Sequence, residues 1–405
     1  MITLKNCRLI PELTEDYDDV MADILLDGKV IREINAPGTG TKGETVMDLE
    51  GKTVMPGLFD LHMHFNFDTV NVYELRARGE SQALLNGISY GYQYLRNGYT
   101  TVRDCGCMYY LGVYLRDAYA SGLLMGPRVI TAGACNSPSA MGNSAFGPVY
   151  KEFNGPHEAW EVARTDIAAG ADFVKYMVTG AVMNKGGDPG AMICTREELH
   201  VLSDVAKSLN TYVAAHCHGK EGIMACAEEE IGTIEHASYI DDECIEALLA
   251  HGNVTAVIPT LSVAYSMARN ITGNTPDFMR ERSLDVMENI RQNMAKAYRA
   301  GVRMGWGSDA DRDTFSLQPG LEFKARREFM DLSNVELLRQ ATIDSARIVH
   351  LDSQVGTVKV GKLADLICVD GNPDQDISAM YRLPAYVWKE GKLFVKLSPK
   401  ENRKE

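Results

Sequence analysis

An α/β fold is predicted for this 405-residue chain: a (β/α)8 barrel with a small flanking β-sandwich built from both chain ends. Three observations carry the prediction. Eight short apolar segments alternate with amphipathic stretches of helix length, the pattern of a parallel sheet covered by helices. The span from His62 to Asp309 is close to the roughly 250 residues typical of such a barrel. The two chain ends read instead as short strands joined by turns.

Residues 1–54 form the first part of the small β-domain, with "MITLKNCRLI" and "ADILLDGKVIREINA" as strands and Asp27-Gly28 as a hairpin signal. Residues 55–350 form the barrel. Its expected strands are "VMPGLFDLHMH" (54–64), "YTTVRDCG" (99–106), "PRVITAG" (127–133), "DFVKYMVTG" (172–180), "TYVAAHCHG" (211–219), "GTIEHASYI" (232–240), "NVTAVIPTL" (253–261) and "VRMGWGSDA" (302–310). Among the intervening helices, "TREELHVLSDVAKSLN" opens on Thr195 with Glu198 three residues on, a capping-box signature. "PHEAWEVARTDIAAG" ends on Gly170, placed to terminate it. Residues 351–405 return to the small domain through "QVGTVKVGKLADLICVD" and "AYVWKEGKLFVK".

Composition excludes several classes. Apolar residues make up 45% and charged residues 24%, with a net charge of −14. That balance argues against nucleic acid or an anionic membrane as partner. No apolar run approaches the roughly 18 residues of a membrane span, and the first residues lack a secretory leader's apolar core. A cytoplasmic location is expected. The nine scattered cysteines, with no CxxC, fit free thiols in a reducing compartment.

The polar residues break the strand pattern at one end. The first strand carries His62 and His64, the fourth Lys175, the fifth His216 and His218, the sixth His236 and the eighth Asp309. Side chains two apart share a strand face, so each His-x-His pair can point inward together. In a barrel of this type the C-terminal strand ends bear the active site. One strand-end histidine is usually a satisfied polar residue, and an HxH alone is a modest hint of metal. Several strands supplying ligand types at the same end make a metal site the better reading. Burying the Lys175 ammonium mid-strand without a partner costs several kcal/mol.

In that order, HxH, Lys, His, His and Asp, the residues resemble the amidohydrolase superfamily, and its members with two metals bridged by a carboxylated lysine. "VMPGLFDLHMH", "GSDA" and "GTVKVGKLADLICVD" resemble its entry strand, last strand and returning β-domain. "YTTVRDCG", "FVKYMVTG", "VAAHCHG" and "TIEHASYI" are most similar to its metal-dependent Xaa-Pro and Xaa-Arg/Lys dipeptidase and carboxypeptidase branch, near imidazolonepropionase. The resemblance implies that His62 and His64 bind one metal, His216 and His236 the other, and N6-carboxylated Lys175 both. Asp309 would ligate the first metal and shuttle the proton. Two divalent ions are implied; zinc suits the ligands, with manganese, iron and cobalt left open. A metal-bridging hydroxide would then cleave an amide C–N bond of a small dipeptide-like substrate, in a chain expected to form a homo-oligomer.

His218 is assigned a substrate or oxyanion contact, with a supporting role behind the ligands as the alternative. Peptidase-like relatives carry Gly-Gly-His where this chain has Met141-Gly142-Asn143, a departure that points to a different substrate. The Asn143 amide can donate to an oxyanion. Arg103 and Asp104 are expected to pair and fix the barrel end. Lys185 and Arg312, either of which could meet a substrate carboxylate, read as solvated loop charges. His157, His200, His251 and His350 read as surface or supporting residues. Two other functions are weighed. An imidazolonepropionase-like hydrolase of a cyclic amide or other carboxamide should lack a lysine on the fourth strand. A non-catalytic scaffold should have lost ligands, and all six remain.

Overall fold

The computed structural model describes residues 1–396. Its strands, in chain order, are β1 (Ile2–Arg8), β2 (Met21–Asp27), β3 (Val30–Asn35), β4 (Thr45–Asp48), β5 (Thr53–Pro56), β6 (Leu58–Met63), β7 (Tyr99–Asp104), β8 (Arg128–Thr131), β9 (Cys135–Pro138), β10 (Tyr150–Phe153), β11 (Val174–Met177), β12 (Val213–Cys217), β13 (Thr233–His236), β14 (Ala256–Ile258), β15 (Leu366–Val369), β16 (Tyr386–Lys389) and β17 (Lys392–Lys396).

Both chain ends meet in one sheet, ordered β17-β16-β15-β5-β1-β2-β3, with β4 also on β1. The strands of both ends are thus linked in one hydrogen-bonded set. β1 pairs with β2 along one edge and with both β4 and β5 along the other. Alternate residues such as Leu4, Ile24, Leu26, Leu366 and Trp388 pack into a core of their own.

The expected first strand, 54–64, is two strands. β5 pairs antiparallel with β15, whereas β6 pairs parallel with β7. Gly57 stands between them, where an added Cβ would lie 2.1 Å from Thr100 Oγ1. Bare backbone is what lets the chain pass from one sheet to the other here.

The parallel strands form two sheets, β6-β7-β8 and β10-β9-β11-β12-β13-β14. β9 and β10 were not expected; β9 lies beside β11, with Cys135 opposite Lys175. The eighth segment, 302–310, forms no continuous strand. It makes isolated bridges from Met304 to Val257 and from Gly307 to Thr260. On its other side, Leu61 N donates to Trp306 O at 2.7 Å and Asp309 N to His62 O at 2.8 Å. A Cβ on Gly307 would lie 2.6 Å from Ile258 Cγ2 and 2.9 Å from His62 Cβ. The segment is thus wedged between β14 and β6 rather than laddered along either. Among the described residues no ladder closes into a continuous barrel.

The helices cover these sheets. The Thr195–Glu198 capping box forms on helix Arg196–Ser208, and Gly170, at φ +100°, follows helix Pro156–Ala168. Helix Leu261–Arg269 packs on the 23-residue helix Asp277–Arg299. No helix among the described residues is long and apolar enough to cross a membrane.

Candidate active site

The strand ends converge. β6 presents His62 and is followed by His64; β12 presents His216 and is followed by His218; β13 ends on His236. Lys175 lies on β11 and Asp309 on the wedged segment. All seven side chains line one cavity, whose mostly apolar wall with a few convergent polar groups is the usual form of a small-molecule site. His236 and Asp309 adopt φ of +74° and +48°. Non-glycine residues rarely adopt that region, and such strain, costing about 1–3 kcal/mol each, gathers at functional sites.

The imidazoles have fixed outer faces. His62 Nδ1 donates to Glu235 Oε2 at 2.7 Å, and His64 Nδ1 to Gly106 O at 2.6 Å. His216 Nε2 donates to Gly180 O at 3.2 Å. His218 Nδ1 meets Ser238 Oγ at 2.8 Å and His236 Nδ1 meets Thr260 Oγ1 at 2.6 Å. A carbonyl or carboxylate can only accept, so the outer nitrogens of His62, His64 and His216 carry the hydrogen. Their inner nitrogens therefore present lone pairs to the cavity.

Two groups result. His62 and His64 Nε2 stand 3.7 and 3.6 Å from Asp309 Oδ1. His216, His218 and His236 form the other group, with His236 Nε2 2.8 Å from His216 Nδ1. In each group the ligand atoms lie within 4.8 Å of one another. Burial pushes His64 down to about 4 and His218 to about 3, and lowers His62, His216 and His236 as well. Neutral imidazoles are the form that binds metal. Burial also pushes Asp309 up to about 8. Lys175 is 1% exposed and its Nζ has no hydrogen-bond partner. A buried amine with no protein partner, beside two groups of aimed donors, fits a site built for cations. These residue clusters can bind metal.

Behind the cluster lie residues that the sequence did not single out. Glu235 is fully buried between His62 and Arg103, whose Nη2 is 2.6 Å from Glu235 Oε1. Arg103 also bonds Leu61 O and Thr233 Oγ1. The expected Arg103–Asp104 pair is thus corrected: Arg103 pairs with Glu235, while Asp104 accepts from Thr131 Oγ1. The two side chains follow each other on a strand and so face opposite ways. Asp60 accepts from His62 N, Ser308 N and Ser308 Oγ, tying the first strand to the segment bearing Asp309. The signal was local: Asp60 precedes His62 by two, and Glu235 adjoins His236.

Asn143 is bonded within the fold. Its Nδ2 donates to Ser137 Oγ and Pro138 O, and its Oδ1 accepts from Asn184 Nδ2. The amide joins two loops and lies outside the cavity lining. Asn143→Ala should cost about 1 kcal/mol of stability and change kcat less than about threefold. Urea unfolding and steady-state rates check this; a hundredfold fall in kcat would support a catalytic role. Lys185 and Arg312 also lie outside the lining, and Arg312 bonds Asn86 and Asp313. His157, His200, His251 and His350 are exposed.

Comparison with known proteins completes the picture. Residues 53–394 match the model of the Amidohydrolase family. Ochratoxinase from Aspergillus niger is 28% identical over 370 residues, covering 84% of this chain and 75% of that protein. A prolidase structure complexed with N-methylphosphonate-L-proline is 27% identical, with a TM-score of 0.87 over 98% of this chain and 100% of that one. A Xaa-Pro dipeptidase structure with bound methionine is 28% identical, with a TM-score of 0.86 over 97% and 99%. With the family match spanning most of the sequence and the histidine groups assembled in one cavity, the chain belongs to the amidohydrolase family and is a hydrolase acting on C–N bonds.

Proposed function

We propose that the chain hydrolyses the amide, peptide-like C–N bond of a small substrate with two divalent cations, most simply zinc. The observation that carries this is the pair of three-residue groups set around the unpartnered Lys175 amine. His62, His64 and Asp309 would hold one cation, His216 and His236 the other, and Lys175, as its carbamate, both. When bound, such cations lower the pKa of water and polarise a carbonyl. Asp309 accepts the proton of the attacking water at its carboxylate and returns it to the leaving nitrogen. His218, beside His216 and lining the cavity, meets the substrate carbonyl.

The likeness to the prolidase and the Xaa-Pro dipeptidase supports the peptide-like part of this reading. Lys175 on β11 disfavours the imidazolonepropionase-like alternative, and the complete ligand set disfavours a scaffold. Residues 302–310, touching both β14 and β6, support an eighth barrel position. Residues 55–350 would then be the catalytic unit, with 1–54 and 351–405 forming the small domain.

Asp309→Asn tests the proton transfer. Its carboxamide keeps an oxygen for ligation but cannot take a proton, so kcat should fall about a hundredfold or more with bound metal retained. Near-normal turnover in that variant would remove Asp309 from the proton path.

A further inference from the structure

Away from the polar cluster, the cavity wall is apolar. Phe67, Phe146, Met183, Val263, Met267 and Ile290 form much of it. Among the described residues, Lys175 is the only lysine or arginine in the lining, and it stands in the polar cluster itself. Three arginines that adjoin or bond to lining residues donate to protein oxygens. Arg76 donates to Ser144 O, Arg282 to Val182 O and Asn184 O, and Arg312 to Asn86 Oδ1. A substrate carboxylate entering between these walls would lose its water and meet no lysine or arginine there, a cost of several kcal/mol.

Asn66 is a polar side chain of the lining with an unspent amide oxygen. Asn66 follows His64 by two residues, is 3% exposed and lines the cavity. Its Oδ1 is buried without a hydrogen-bond partner. By contrast Ser238 and Thr260, which also line the cavity, are committed to His218 and His236. A buried amide left unpaired costs free energy unless something meets it. Its oxygen can only accept, so a donor such as a substrate amide N–H suits it.

We propose that the cavity takes an uncharged carboxamide with apolar groups on both its acyl and amine sides, and that Asn66 accepts the hydrogen bond of its N–H. This rests on amide hydrolysis at this site and narrows it, away from substrates that present a free carboxylate. In the reaction the C–N bond breaks and water adds across it, giving a carboxylic acid and an amine. No further reactant is needed.

N-hexanoyl-phenethylamine and N-hexanoyl-phenylalanine differ only in the α-carboxylate and make the matched test on zinc-loaded protein. The uncharged amide should have at least a tenfold higher kcat/KM. Asn66→Ala should lower kcat/KM for it about tenfold, with metal content and melting temperature kept. Met183→Lys, which sets a cation on the wall, should shrink the preference by raising the rate on the carboxylate. Equal or faster hydrolysis of the carboxylate by the unmodified protein would overturn the inference and leave amide hydrolysis standing. So would turnover of free dipeptides without turnover of the uncharged amide. Should neither probe nor a dipeptide panel be hydrolysed by protein with its metal bound, the amide reading itself would fall, and this inference with it.

Discussion

Lys175→Met should reduce kcat by about four orders of magnitude while the metal-free variant melts no lower than the unmodified protein. The two halves of the prediction have separate causes. Lys175 sits 1% exposed, mid-strand, with its Nζ unpartnered among five histidines and Asp309. Nothing in the fold uses its charge, and burying an ammonium without a partner is costly. Methionine keeps nearly the same length and volume, so the core loses no packing. The lysine's value therefore lies in what it does when cations and carbon dioxide are present. As a carbamate it would give two oxygens to the space between the histidine groups; methionine gives none. Thermal melting of chelator-treated protein and steady-state rates with restored zinc measure both halves. A kcat within tenfold of normal would remove Lys175 from the site, and a large fall in melting temperature would make it a structural residue.

The second large effect lies behind the ligands. Glu235→Ala should lower stability by about 3–5 kcal/mol, because it strands a fully buried guanidinium. Arg103 and Glu235 are each 0% exposed and 2.6 Å apart. Arg103→Met should cost a comparable amount by stranding the carboxylate. The double variant Arg103→Met/Glu235→Met removes both charges and should recover much of the loss, so the single effects should not add. Glu235 also holds His62 Nδ1. Loss of that contact frees the ring to turn and should cut zinc affinity about 10- to 100-fold. Urea unfolding of the three variants and zinc titration separate the two roles. Additive single effects would show that the pair does not act as a unit.

These two residues show what the sequence could and could not reveal. His62, His64, Lys175, His216, His236 and Asp309 stood out because polar side chains near the ends of apolar strands break a period-two pattern. That anomaly needs no knowledge of distance. Glu235 is just as polar and just as buried, but it adjoins His236, and its partners Arg103 and His62 lie 132 and 173 positions away. No local pattern carries such a separation. Asn143 shows a related limit. Its place after the third strand suggested the cavity, but its amide is claimed by Asn184 from another loop. The fold divided in the same way. Alternating strands and helices announced a parallel architecture, but the break at Gly57 lay inside a segment that read as one strand. The wedged eighth segment was not visible either, since the close approach of Gly307 to Ile258 and His62 depends on chains meeting in space.

The central claim is that the two histidine groups hold a pair of divalent cations across Lys175. Metal analysis by plasma mass spectrometry, on protein reconstituted with zinc and bicarbonate and then freed of loose ions, tests it most directly. The account predicts about two zinc ions per chain, with amide hydrolysis rising as the second site fills, and fewer than two in Lys175→Met. Fully active protein holding one ion per chain or none would contradict it.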